Sequence, residues 1–158
     1  MDPANQGQEK DVLYFDDLQV GQRFVSGQHQ LDEAQIIAFA KEFDPQTFHT
    51  DPVAAKDSFF QELVASGWHT AAVTMRLIVG GGMPIAGGSI GAGAEISWPR
   101  PTRPGDILHV ESEVLELKAS RSRPDRGVVT IRNQTHNQAG EVVQIMTAKL
   151  IVPRKVPG

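Results

Sequence analysis

A chain of 158 residues with a formal charge of −4 is long enough for one domain with a real apolar core and too short for two ordinary ones. The absence of cysteine excludes disulfides, thiolate nucleophiles and cysteine-ligated zinc or iron–sulfur centres. The mild acidity offers no broad basic surface, so we expect no nucleic-acid partner and no membrane partner. The polar start lacks a secretory signal and no later run is apolar for a bilayer's thickness, so we expect a cytoplasmic location.

The opening residues show no periodic pattern, so residues 1–13 are predicted to be a disordered tail. One domain is expected over residues 14–153, followed by a short C-terminal tail over residues 154–158. Within the domain, a turn signal at Gly21 precedes residues 23–30, which are predicted to form the first strand.

Asp32 suits the N-cap of a helix, because the apolar residues that follow it have helical spacing. This helix is predicted to end near Phe43. Pro45 enforces the end, since its ring disfavours helical geometry at Asp44, the residue before it. The sequence therefore predicts a carboxylate presented from a turn at a helix exit.

His49 follows in the same segment, so an acid and a potential base lie on either side of a proline. Asp51 and Pro52 suit the N-cap and first position of a short helix over residues 53–56. A carboxylate and an imidazole at this spacing can converge on one water molecule. Such an acid–base pair is suited to adding water to a double bond or removing it. Taken singly, each has a structural alternative, Asp44 as a turn residue and His49 as a half-exposed loop histidine.

Residues 67–79 form the most apolar segment, predicted to be a helix with almost no polar face that needs cover on nearly all sides. Four extended segments follow and can supply that cover: residues 88–98, 106–118, 127–136 and 141–152. An antiparallel sheet wrapped around a central apolar helix is the hot-dog arrangement, so we expect an α+β fold with a single hot-dog domain. The sheet leaves an unpaired edge, which we expect a homodimer or higher homo-oligomer to cover.

Two segments carry a resemblance to a known family, FDPQTFHTDPVAA at residues 43–55 and ASGWHT at residues 65–70. They resemble the corresponding segments of MaoC-like dehydratases, the family that includes the (R)-specific enoyl-CoA hydratases, and the resemblance spans residues 14–153. Asp44 and His49 match the acid and the histidine of the hydratase pattern. Three positions between them depart from that pattern: Gln46, Thr47 and Phe48. Gln46 and Phe48 resemble a subgroup of the family, whereas Thr47 replaces a proline.

The resemblance implies reversible hydration of a 2-enoyl-CoA, or dehydration of a 3-hydroxyacyl-CoA, with Asp44 and His49 as the catalytic pair. Coenzyme A enters as part of an acyl-CoA thioester substrate, and no separate cofactor is expected. Gly67 matches the glycine whose amide faces the thioester oxygen, and amides at a helix N-terminus are free to donate. Alternatively, Gly67 only eases helix packing, with Ser66 as the cap.

Four residues are weaker candidates for binding the substrate: Ser66, Trp68, Arg121 and Arg123. The two arginines belong to a basic stretch that can hold the phosphates of coenzyme A, although an ordinary solvated hairpin explains the same charges. His69 is expected to be a core or capping histidine. His29, His109 and His136 fall on predicted strands without acidic neighbours at metal-ligand spacing, so we expect no metal.

Two other functions stay open on the sequence. Hot-dog proteins also include thioesterases, in which a carboxylate directs water at the carbonyl carbon, and release of free thiol distinguishes that reaction. A non-catalytic protein that binds acyl thioesters is the other alternative, distinguished by binding without turnover. The fold alone cannot decide among these functions, because one scaffold supports many activities.

Overall fold

A computed structural model describes residues 12–155. Within that range the helices and strands follow in the order β1 (Arg23–Gln30), α1 (Glu33–Phe43), α2 (Thr47–Thr50), α3 (Gly67–Leu77), β2 (Ile90–Ser97), β3 (Ile107–Ala119), β4 (Arg126–His136) and β5 (Val142–Pro153). The predicted first strand and first helix are confirmed, and the four later strands agree with the structure to within two residues at each end. None of the described helices is long and apolar enough to cross a membrane.

All five strands form one antiparallel sheet in the order β1-β3-β4-β5-β2. Along β4 the side chains alternate strictly between buried and half-buried positions, as expected when one face of a sheet packs on the core. Val73 of α3 belongs to the same buried cluster as Val129 and Ile131 of β4. A helix held against one face of an antiparallel sheet is the hot-dog fold, which confirms the predicted class.

The start and end of α1 follow from single residues. Asp32 caps the helix as predicted, because its Oδ1 accepts a hydrogen bond from the Gln35 amide at 2.8 Å. The helix ends at Phe43, and Asp44 takes a non-helical conformation with φ −153° and ψ 67°. Pro45 therefore ends the helix where the sequence predicted, and it leaves the Asp44 carboxylate at the helix exit.

The central helix is shorter and less buried than predicted. α3 ends at Leu77, and the chain continues as a wider π-type turn over Ile78–Gly82 in which Gly81 has a φ of 128°. Glycine adopts that conformation readily, so the chain leaves the α-helix before the predicted end. Three apolar side chains of this segment are 60%, 40% and 59% exposed: Trp68, Met75 and Val79. The prediction of nearly complete burial is therefore wrong for a single chain.

Two residues assigned to the predicted tails make contacts with the domain. Leu13, assigned to the N-terminal tail, pairs with residues 84–86 through two backbone hydrogen bonds. Arg154, assigned to the C-terminal tail, forms an ion pair with Asp16 at 2.7 Å. Most of the predicted tail residues, 1–11 and 156–158, lie outside the described residues.

Candidate active site

Asp44 and His49 are brought together by a change of chain direction between two helices. Pro45 follows the end of α1, and the short helix α2 then places His49 beside the carboxylate. The two side chains approach to 3.3 Å between Asp44 Oδ2 and His49 Nε2. The sequence predicted that Asp44 is presented from a turn, and α2 was not predicted because four residues are too few to show a periodic pattern.

Further along the same segment, the helix predicted over residues 53–56 is a 3-10 turn, Ala54–Asp57. The N-cap position of this turn is Val53 and not Asp51 as predicted, because the turn begins later than expected, but Asp51 Oδ1 still accepts hydrogen bonds from the Val53 amide at 3.0 Å and the Ala54 amide at 3.2 Å. These two hydrogen bonds hold the chain in place just after His49.

Asp44 is held in place by hydrogen bonds to both of its carboxylate oxygens. Ser66 Oγ donates to Oδ2 at 2.7 Å, and Gln46 Nε2 donates to Oδ1 at 2.7 Å. Burial raises the pKa of the Asp44 carboxyl, but the two hydrogen bonds and the adjacent His49 outweigh burial, so that this pKa lies below its ordinary value. The carboxylate is therefore ionised at neutral pH and can accept a proton.

His49 is buried, and a hydrogen bond fixes the orientation of its ring. Its Nδ1 lies 2.6 Å from the Val64 carbonyl oxygen. Because a carbonyl oxygen only accepts hydrogen bonds, Nδ1 is the donor in this bond, and Nε2 is the nitrogen that faces Asp44. An imidazole nitrogen and a carboxylate oxygen this close can act on the same water molecule. The geometry thus suits the water-binding arrangement that the residue pattern predicted.

Ser66 and Gly67 begin α3 directly beside this pair. Ser66 is fully buried, and besides donating to Asp44 its Oγ accepts a hydrogen bond from the Trp68 amide at 3.3 Å. The predicted cap is therefore confirmed, and the same hydroxyl also orients the acid. The Gly67 amide donates to no protein acceptor in the part of the chain that the structure describes, and it lies at the positive end of the helix.

Position 67 must also be glycine for packing reasons. A Cβ there would lie 2.6 Å from the Trp98 ring, closer than any side chain tolerates. Trp98 cannot easily move away, because its Nε1 donates to the buried Gln144 side chain at 3.0 Å, and Gln144 in turn donates to Thr74 of α3 at 3.1 Å. Both explanations offered for Gly67 are therefore compatible, since one residue makes room for Trp98 and leaves its amide free.

A cavity of about 330 Å³ opens beside the pair. His49 and Gly67 both line it, together with aromatic walls from Phe59, Phe60 and Trp98. His49 and Gly67 therefore border the same space. Asp44 is not among the residues that line this cavity, and it is adjacent to it through its contact with His49. A volume of this size with apolar walls and a few polar groups is typical of a site for a small organic ligand.

The weaker predicted substrate residues lie outside this cavity. Trp68 is exposed and meets Trp98 edge to face, with 5.4 Å between ring centroids. Arg121 and Arg123 lie in the connection from β3 to β4 and do not line the cavity. Arg100 does line it and was missed by the sequence analysis. Its proline-rich surroundings indicate a turn, and no local pattern connects that turn to His49.

His69 is a core histidine, as expected. It is buried, and its ring stacks on Phe39 with 4.4 Å between the centroids. Burial lowers the pKa of His69 to about 4, and the neighbouring His29 contributes in the same direction. The ring is therefore neutral at physiological pH and takes no part in the pair.

Comparison with known proteins identifies the family to which this chain belongs. The family model described as the MaoC like domain matches residues 17–138, which is well over half of the chain. The chain belongs to the MaoC-like family. The predicted resemblance is confirmed, and Asp44, His49 and Gly67 all lie within the MaoC-like region.

Solved structures and curated relatives agree with this assignment. The crystal structure of the MaoC-like dehydratase from Rhodospirillum rubrum is 59% identical with a TM-score of 0.90, covering 92% of this chain and 99% of that one. The unliganded (R)-hydratase PhaJ1 from Pseudomonas aeruginosa is 28% identical with a TM-score of 0.73, covering 91% and 88%. A 3-hydroxybutyryl-CoA dehydratase from Methylorubrum extorquens is 29% identical over 113 residues, covering 71% and 70%. The MaoC-like relatives of this chain thus include hydratases and dehydratases.

Ser66→Ala is expected to raise the pKa of Asp44, because the carboxylate loses a donor while its burial persists. Gln46→Ala should raise it as well, but only Ser66→Ala also removes the α3 cap, at a cost of about 1 kcal/mol. Carbon-13 NMR titration of the carboxyl group measures the pKa of Asp44, and urea unfolding measures the stability lost with the cap. An unchanged Asp44 titration in both variants would contradict the assigned hydrogen bonds.

The depressed pKa of Asp44 also determines how this residue contributes to the free energy of unfolding at different pH values. Because its pKa is depressed in the folded state, its stabilising contribution is fully present above the unfolded pKa of about 3.9 and is lost as the pH falls through the lower folded value. In Ser66→Ala this contribution shrinks. The difference in unfolding free energy between wild type and Ser66→Ala should therefore be smaller at very low pH than at neutral pH.

Proposed function

We propose that the protein is a hydro-lyase that adds water reversibly to a 2-enoyl-CoA thioester or, in the opposite direction, dehydrates a 3-hydroxyacyl-CoA. The observation that supports this most strongly is the relation of Asp44 to His49, an ionised carboxylate whose Oδ2 lies 3.3 Å from an imidazole Nε2 that the Nδ1 hydrogen bond to Val64 holds in this orientation. Relatives named as an (R)-hydratase and a 3-hydroxybutyryl-CoA dehydratase agree with this class of reaction. Coenzyme A arrives on the substrate, so the proposal requires no cofactor.

The proposed step forms one carbon–oxygen bond and moves one proton. A water molecule donates to Asp44 and His49, loses a proton to this pair and bonds through its oxygen to C3 of the double bond. The displaced electron pair moves onto the thioester oxygen as an enolate, which the Gly67 amide stabilises. The proton then returns from the pair to C2. The sum is the addition of one water molecule, and the thioester bond stays intact.

We further propose that the working form is a homodimer or a larger homo-oligomer joined through β2. This strand is an edge of the sheet, and nearly all of its residues are exposed. Beside it lies an open apolar cavity of about 310 Å³ lined by Met75, Met83 and residues of β2 and β5. Exposed edges next to apolar surface are normally covered in native proteins, and a second copy of the chain offers a matching edge.

Asp44→Asn and His49→Ala are each expected to slow hydration by about 10²–10⁴-fold, the usual contribution of a positioned acid or base. The loss of enoyl-thioester absorbance on short, medium and branched 2-enoyl-CoAs measures this rate. Asp57→Asn and His29→Gln are matched controls, because Asp57 is an exposed carboxylate and neither residue lines the cavity. Both controls should keep the wild-type rate.

Free thiol is followed in the same reactions to separate the alternative functions. Thiol release that depends on Asp44 would assign thioester hydrolysis instead. Acyl-CoA binding without turnover, unchanged by Asp44→Asn, would indicate a binding protein. Wild-type hydration rates in both Asp44→Asn and His49→Ala would show that the pair takes no part in hydration.

The Gly67 amide can be tested apart from its packing role by comparing two double variants. Trp98→Ala removes the ring that a Cβ at position 67 would strike, so Gly67→Ala and Gly67→Pro both fit in that background. Proline is tolerated at the first helical position, and Ser66 already has the ψ of 138° that suits a residue before proline. Only proline lacks the N–H, so hydration should be about 10²–10³-fold slower with proline than with alanine. Equal hydration rates in two equally stable double variants would show that the Gly67 amide does not stabilise the enolate oxygen.

Light scattering should give at least twice the chain mass of 17.2 kDa. The double substitution Met75→Lys and Ile90→Lys is expected to produce monomers, because it places two charges on apolar surface at β2 and its neighbouring cavity that is exposed within one chain and would be covered in the oligomer. Val20→Lys, at another exposed valine, is the matched control and should leave the mass unchanged. A monomeric wild-type protein would contradict the proposed assembly.

A further inference from the structure

We propose that the outer face of the sheet carries a site for a divalent cation, formed by His109, Glu111 and His136. His109 lies directly opposite His136 in the register of β3 and β4, and Glu111 follows His109 by two residues, which puts it on the same face. One ligand atom from each of the three side chains lies within 4.8 Å of the other two. The site would be new, because none of these residues lines the cavity beside His49.

His136 is oriented as a metal ligand. Its side chain is 13% exposed, and its Nδ1 lies 3.3 Å from the Gly140 carbonyl oxygen in the turn between β4 and β5. Because the carbonyl only accepts, Nδ1 is the donor in this hydrogen bond, and Nε2 is the nitrogen that remains to bind a metal. Histidines that bind metals are typically held in this way, with the second ring nitrogen donating to a carbonyl or a carboxylate.

Nε2 of His136 faces a carboxylate. Nε2 is shielded from solvent and lies 2.7 Å from Glu111 Oε2, yet it has no hydrogen-bond partner among residues 12–155, since the two groups are not aligned for one. Two acceptors at this distance repel each other unless a proton or a cation lies between them. Nitrogen and oxygen ligands that are each about 2.0–2.2 Å from one zinc ion lie roughly 3–3.5 Å apart, so a small separation of the two groups admits the ion.

The second imidazole favours a cation over a proton alone. The rings of His109 and His136 are nearly parallel, with 5.1 Å between their centroids, so an ion beside one ring is within reach of the other. Two imidazoles and one carboxylate suit zinc and its neighbours among the transition metals, whereas magnesium and calcium prefer oxygen ligands. Asp44 and His49 are less suited to a metal. Within the described residues they belong to no three-residue group of ligands, and Ser66 already donates to the Asp44 oxygen that faces His49.

The sequence analysis expected no metal because it saw no acidic neighbour at ligand spacing. The sheet supplies that neighbour, since strand pairing places Glu111 beside both histidines. The ion would connect β3 to β4 next to the turn that leads into β5. We therefore assign it a structural role at this end of the sheet, apart from the hydration chemistry.

The test uses full-length protein without a histidine tag, stripped of metal by a chelator and then titrated with Zn²⁺ against a chromophoric zinc indicator. Wild type is expected to bind one ion per chain. Glu111→Gln, a change of similar shape at an exposed position, should weaken binding by at least about tenfold, and His136→Gln should remove saturable binding. His29→Gln, a histidine on β1 outside the group, is the matched control and should bind as wild type does.

Zinc should also raise the midpoint of thermal unfolding of the wild-type protein, because a ligand that binds only the folded state stabilises it. This rise should be smaller in Glu111→Gln at the same zinc concentration, and that result stands even if His136→Gln does not fold. No saturable binding by wild type, or equal binding by wild type and Glu111→Gln, would overturn the site and leave a proton shared by Glu111 and His136. None of these readouts depends on enzymatic activity, so the site and the proposed hydration can fail separately.

Discussion

The Ser66 hydroxyl connects the fold to the chemistry. It accepts a hydrogen bond from the Trp68 amide and donates one to Asp44, so the first turn of the central helix and the acid are held by one oxygen atom. Ser66 is fully buried, and water cannot replace either bond if the hydroxyl is lost. The rest of the site depends on this position. Gly67 follows at the start of the helix with its amide free, and His49 completes the surroundings of the carboxylate.

Much of the fold could be predicted because its signals are local. An aspartate cap, a proline at a helix exit and alternating apolar residues in β4 each act over a few residues, and each was found where expected. The exposure of α3 could not be predicted in the same way. Apolar composition shows which side chains avoid water, but it does not show whether the same chain or a second copy covers them. Met75 and Val79 belong to the surface for which this distinction matters.

The pairing of Asp44 with His49 could also be predicted, because both residues lie in one short segment. Contacts between distant segments could not. Ser66 reaches Asp44 across 22 positions, and Trp98 reaches Gln144 across 46. The group of Glu111 and the two strand histidines depends on the register between β3 and β4, which the sequence does not specify residue by residue. Two histidines of this protein thus face a carboxylate through Nε2, and their surroundings give them different chemistry.

The order of the strands has a consequence for how the chain folds. β2 precedes β3, β4 and β5 along the chain, yet its neighbour in the sheet is β5. During synthesis, the apolar α3 and the strand after it therefore leave the ribosome well before the partner that covers them. Folds with such distant pairings form slowly, and their unpaired strands attract other chains in the meantime. The edge of β2 becomes a defined surface only once β5 is in place, so the proposed assembly with a second copy would follow completion of the sheet and could not guide it.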